Sequence, residues 1–200
     1  MLSNIDIIEI FTSERTNRPY KAFKGCFMKD ELSNMTPEEN SIYIVNLDSS
    51  DGPGTHWNTA VTPGHLPETI IFFDPYGTPP PKDVESFMRR ARDKNGNPKK
   101  MIYNREDIQS LHSTFCGWYT SYFAWQCVLR KRSMIDILND FHHGFKTWMN
   151  DKLVRRFMKH ILQLQPSGIG KAVGHVTGSG FGDNSSIGEN SEEPEQLRPL

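Results

Sequence analysis

Residues 115–132 read FCGWYTSYFAWQCVLRKR, and this stretch decides the fold. Trp118, Tyr122, Trp125 and Leu129 recur at helical spacing as one apolar stripe, and Cys116, Thr120, Phe123 and Cys127 form another. A helix apolar on two faces must be covered on both, so it is predicted to be the central helix of a layered domain. Upstream, Ser41–Leu47, Trp57–Val61, Thr69–Asp74 and Lys100–Tyr103 are rich in Ile, Val and aromatics and read as strands. Lys82–Asp93 follows three prolines and reads as a helix with Val84, Phe87, Met88 and Ala91 on one face. Ser133–His143 and Phe145–Leu164 read as two further helices divided at Gly144. The expected fold class is α+β, a small and mainly antiparallel sheet with helices around it.

The chain has 200 residues, a mass of 23.0 kDa and a mean hydropathy of −0.59. That is enough for one well-cored domain with a tail. Ile70–Phe73 is the longest strongly apolar run, far short of the ~20 residues that span a bilayer. The first residues carry no basic or apolar leader, so no signal peptide is expected. Three cysteines without a CxxC pair argue against a disulfide framework or structural zinc, and no metal site is expected. The net charge of −1 hides a polarity: residues 166–200 hold two basic and five acidic side chains. That stretch is glycine-dense and then acidic, so the expected organisation is a domain over 1–165 and a flexible appendage over 166–200.

Cys116 stands apart from the other cysteines. Ser113 is a plausible N-cap, which sets Cys116 in the first turn of the buried helix. There, free N–H groups and the positive dipole end favour a thiolate, drawing a thiol pKa from about 8.5 toward neutrality. Gly117 leaves room for a substrate backbone. Cys26 and Cys127 read as small buried hydrophobes. A cysteine nucleophile needs a base, and the base an orienting acid. His56 opens one strand and Asp74 closes the next; a hairpin pairing Val61 with Thr69 sets His56 opposite Asp74, within reach of an imidazole–carboxylate hydrogen bond. Among the other histidines, His112 is the rival base because it lies near Cys116 in sequence. Gln109, seven residues before Cys116, offers a side-chain amide suited to an oxyanion.

Together these residues resemble the adenovirus endopeptidase (adenain) family, of the same cysteine-peptidase clan as the SUMO and NEDD8 proteases. The resemblance rests on Gly54-Thr-His-Trp57, Phe73-Asp-Pro-Tyr-Gly77, Gln109 and Phe115-Cys-Gly117, with Phe23-Lys-Gly-Cys-Phe27 and Asp30-Glu-Leu32 upstream. It spans about Pro19 to Gln126, and the order and spacing of the motifs carry it. It implies Cys116 as nucleophile, His56 as base, Asp74 as orienter and Gln109 in the oxyanion hole, with Trp57 shielding the imidazole and Trp57, Gly117 and Asp30 on the substrate path. Adenain has Glu at the acid position, whereas the wider clan often has Asp, and either carboxylate orients an imidazole.

The activity so implied is endopeptidase cleavage of viral (virion or capsid precursor) proteins by a monomer inside the particle or the infected cell, including its nucleus, without secretion or membrane attachment. Adenain is switched on by a disulfide-linked viral peptide and by DNA. No cysteine is placed for the peptide, since Cys26 is read as upstream of the sheet and Cys127 as inside the helix. DNA is the candidate activator: Met88–Arg105 holds seven basic residues against one acidic, and Arg130–Lys159 eight against three. Val176-Thr-Gly-Ser-Gly180 approximates an adenain-type cleavage site, which makes self-trimming near Ser179–Gly180 a hypothesis beside that of a plain linker. Two other readings compete, a deubiquitinase or SUMO-type isopeptidase using the same residues, and a non-catalytic nucleic-acid-binding virion protein.

Overall fold

The computed structural model describes residues 2–12 and 20–163, the last three by their backbone alone. The region after 163, with its candidate cleavage site, lies outside the described residues. Five strands form one sheet in sequence order: β1 (Phe23–Met28), β2 (Ser41–Asn46), β3 (Trp57–Thr62), β4 (Thr69–Phe73) and β5 (Lys100–Tyr103). The helices are α1 (Asn4–Thr12), α2 (Lys82–Arg89), α3 (Cys116–Ala124), α4 (Met134–Leu138) and α5 (Asn150–Gln163), with 3-10 turns at Lys29–Asn34 and Gly144–Met149. The architecture is α+β. None of the described helices is long and apolar enough to cross a membrane.

The sheet is mixed. Its two central pairings are antiparallel as expected, and the outer ones, β1–β2 and β4–β5, are parallel. Parallel neighbours need a crossover, and each crossover carries a helical segment onto the same face. Leu32 of the first and Val84, Phe87 and Met88 of α2 form one core with Tyr43, Val45, Ala60, Ile70 and Phe72. Arg90 ties the two crossovers together by donating to the carbonyls of Leu32 and Met35. The alternate residues Ile42, Ile44, Val61, Ile71 and Phe73 face the other way, into a larger core with α1, α3 and α5. There the rings of Phe73 and Phe123 stack with centroids 4.2 Å apart. Truncating either ring to Ala would cost about 3–5 kcal/mol.

Several boundaries differ from the sequence reading. Cys26 lies within β1 rather than upstream of the sheet; Lys24 and the bulge at Gly25 (φ +141°) interrupt the alternation that marks a strand. α2 ends at Arg89, because Asp93 accepts the N–H groups of Asn95 and Asn97 and folds a turn instead. The central helix passes from α to π at Trp125–Leu129. α4 is one turn, with Ser133 accepting from the Asp136 N–H as its cap. The last expected helix begins as a 3-10 turn at Gly144 (φ +64°).

Candidate active site

β3 and β4 pair with Val61 opposite Ile71, not Thr69, because Thr69 closes the loop: its N–H and hydroxyl both donate to the Leu66 carbonyl. The two-residue shift keeps every side chain on its face. Past the end of the ladder, Tyr76 in the turn after β4 stacks its ring on that of His56 at 4.8 Å, while the Asp74 carboxylate reaches His56 Nε2. Trp57, one residue on, belongs to the core on the α3 side, and Tyr76 is the ring stacked on the imidazole.

His56 Nε2 lies 2.8 Å from Asp74 Oδ1, with His56 16% and Asp74 1% exposed. The other carboxylate contacts come from the Tyr76 N–H at 2.9 Å and the Thr78 hydroxyl. Asn104 clamps the Asp74 backbone, accepting its N–H and donating to its carbonyl. The turn closes through Gly77, whose positive φ (+70°) and tight fit (an added Cβ would lie 2.6 Å from the Arg105 carbonyl oxygen) demand glycine.

With Nε2 committed to Asp74, Nδ1 is the imidazole nitrogen that meets Cys116. Burial opposes ionisation of that thiol. The hydrogen bond with His56, the backbone N–H groups of Trp57 and Gly117 and the imidazolium charge outweigh it, so the Cys116 pKa lies below the ordinary thiol value. Burial likewise disfavours imidazolium, but hydrogen bonds to Asp74 and Cys116 and their charges raise the His56 pKa to about 9. Both shifts favour the thiolate–imidazolium form of the pair. By contrast, burial alone pushes the Cys26 and Cys127 thiols up to about 12.

Gln109 is buried on a loop hung from β4, for the N–H groups of Ile108 and Gln109 both donate to the Pro75 carbonyl. Its Nε2 donates to the Ser113 carbonyl at 2.9 Å and, at a longer 3.3 Å, to the Tyr76 hydroxyl. Its Oε1 is buried and has no partner among the described residues. Burial raises the Tyr76 pKa, which keeps that hydroxyl protonated. α3 begins with Cys116 as its first residue; Ser113 stands outside the helix as a loop brace, accepting the Phe115 N–H. His112, the rival base, is exposed.

A cleft of about 470 Å³ is lined by Trp57, Gly54, Asn46, Met28, Glu31 and Leu2; Cys116 and His56 are not in its lining. Leu2 approaches closely: its carbonyl accepts the Trp57 indole N–H, and a Cβ on Gly117 would lie 3.0 Å from the Leu2 Cβ. Asp30 is not in the lining; it accepts the N–H and hydroxyl of Ser50 and braces the cleft's outer loop. Tyr76, Thr78 and Asn104 also build the site without a role assigned from sequence, and Ser113 does so as a loop brace rather than as the expected N-cap. The signal for Tyr76 is its place in the Phe73-Asp-Pro-Tyr-Gly77 motif.

No family model matches the chain. The protease of Bovine adenovirus C serotype 10 is 27% identical over 99 residues, covering 44% of this chain and 49% of the relative, so the match spans about half the length of that protein. The crystal structure of the ASFV pS273R protease superposes with a TM-score of 0.55 at 17% identity, over 80% of this chain and 67% of that one. Over that stretch of sequence, and in fold, the chain is similar to these viral proteases.

Proposed function

We propose that the chain is a cysteine endopeptidase that cleaves viral precursor proteins. The observation that carries this reading is His56 held between a buried carboxylate and a thiol of lowered pKa. The Cys116 thiolate attacks a peptide carbonyl carbon, and the carbonyl electrons move onto its oxygen. Gln109 Nε2–H, released from its long contact with Tyr76, and the Cys116 N–H receive that oxyanion. His56 passes its Nδ1 proton to the departing amine as the C–N bond breaks, leaving a thioester. Neutral His56 then takes a proton from water, the hydroxide adds to the thioester, and the thiolate leaves. Asp74 holds the imidazole by Nε2 throughout, while Trp57 and Gly117 border the substrate path and Asp30 supports it through Ser50.

The test is alkylation by iodoacetamide at neutral pH, read residue by residue by mass spectrometry, beside cleavage of a peptide library. Fast labelling of Cys116 that slows in His56→Ala, with cleavage lost in Cys116→Ala, is expected. Cys116 labelling no faster than Cys26 or Cys127 would overturn the reading. Cleavage only after the Gly-Gly of a ubiquitin-like probe would favour the isopeptidase instead.

Nucleic acid is proposed as an activating partner through α5, where Lys152, Arg155, Arg156 and Lys159 line one shallow groove. In the 88–105 segment the cations are more engaged: Lys99 pairs with Glu39, Arg89 with Glu85, and Arg90 with two carbonyls. Replacing all four α5 cations by Ala should weaken binding of a labelled DNA duplex and flatten its salt dependence by up to about four charges' worth of slope. Unchanged affinity would remove DNA from this surface. The enzyme is read as a monomer acting within the virion or infected cell.

A further inference from the structure

The loop that carries Gln109 and leads into Cys116 is gripped from the far end of the described chain. Asn150, the first residue of α5, is fully buried, and its Nδ2 donates to the carbonyls of Ile108 (2.8 Å) and His142 (2.7 Å) while its Oδ1 accepts the His142 N–H. Asp151, the next residue, accepts two hydroxyls on one oxygen, Ser113 at 2.8 Å and Tyr119 at 2.9 Å. Ser113 is the residue whose carbonyl holds Gln109 Nε2 and whose hydroxyl accepts the Phe115 N–H just before the nucleophile. The carboxylate of Asp151 thus reaches the Gln109 amide and the start of α3 through one serine, and Tyr119 links it to the body of α3.

We propose that Asn150 and Asp151 are positioning residues of the peptidase site: the first turn of α5 fixes the 108–115 loop so that the Gln109 amide and the Cys116 N–H converge on one acyl oxygen. The proposal rests on the peptidase reading and adds to it the element that sets the oxyanion geometry. A displaced donor loses its effect on the transition state while leaving the thiolate in place, because the His56–Asp74 arm is anchored separately, on β4 and Asn104. Peptide hydrolysis and thiol alkylation should therefore part company, since alkylation forms no oxyanion.

The experiment compares wild type, Cys116→Ala, Asp151→Ala, Asp151→Asn and Ser113→Ala in peptide hydrolysis, in iodoacetamide labelling of Cys116 and in Tm. Asp151→Ala is expected to lower kcat by about 10-fold with KM within about twofold, a fraction of what loss of an oxyanion donor itself costs. Its Cys116 alkylation rate should match wild type. Asp151→Asn keeps the Oδ1 acceptor and should recover most of the lost kcat. Ser113→Ala severs the same link without touching α5, so it should reproduce the split even where Asp151→Ala does not fold. Unchanged kcat in Asp151→Ala or Ser113→Ala, or a parallel fall of hydrolysis and alkylation in both, overturns the proposal. A wild type no more active than Cys116→Ala overturns the peptidase reading and takes this proposal with it.

Discussion

The His56 arm of the site is charged and supported nearby, whereas the Gln109 arm is neutral and supported from a distance. His56 and Asp74 sit at the ends of adjacent strands, and the Asp74 carboxylate finds its other partners at Tyr76 and Thr78. Gln109 depends on Pro75 behind it and on Ser113, itself held by α5. The difference teaches that nucleophile activation answers to electrostatics and oxyanion binding to loop geometry, so pH should probe one arm and remote substitutions the other.

The sharpest way to break this division is at its shared residue. Cys116→Ala should abolish both alkylation at that position and hydrolysis, a loss of at least about 10⁴-fold in kcat. Asp74→Asn comes next, lowering kcat by about 10²–10⁴-fold. It also tests the charged arm by pH. The His56 pKa is raised, so imidazolium, and with it the ion pair's contribution to stability and activity, is complete below the unfolded value near 6.5 and lost as pH rises through about 9. The wild-type alkaline limb should thus lie near 9 and move down in Asp74→Asn; an unmoved limb in the kcat/KM profile would break the assignment. Gln109→Ala should lower kcat by about 10²–10³-fold while leaving Cys116 alkylation intact. Tyr76→Phe keeps the stack on His56 and removes only the hydroxyl beside Gln109, so a change of about threefold or less in kcat is expected. A larger drop there would mean that the two arms are joined through Tyr76.

What was legible in the sequence follows the same line. The buried helix from Cys116 shows in its two apolar stripes, and strands β2 to β5 in their Ile, Val and aromatic content. β1 did not, because Lys24 and Gly25 break its pattern, and α1 went unread although Ser3 and Asp6 cap it reciprocally and Ile7, Ile10 and Phe11 follow helical spacing. His56, Asp74, Gln109 and Cys116 were found by chemistry and spacing, and the structure brings the first two and Cys116 into contact. The hairpin register failed by two residues because loop closure by Thr69 is a hydrogen-bonding choice that composition does not encode. Asn104, Asn150 and Asp151 were invisible for a different reason. An Asn or Asp in a polar stretch looks like surface until the fold buries it against a distant carbonyl or hydroxyl.

The long reach from α5 back to the Gln109 loop also has a meaning in time. A ribosome makes His56, Asp74 and Cys116 well before Asn150 and Asp151. On the positioning role proposed for α5, a growing chain can assemble its thiolate and still lack an ordered oxyanion loop. Translation order would then act as a safety catch, sparing the nascent chain and its neighbours on the polysome until α5 has been released.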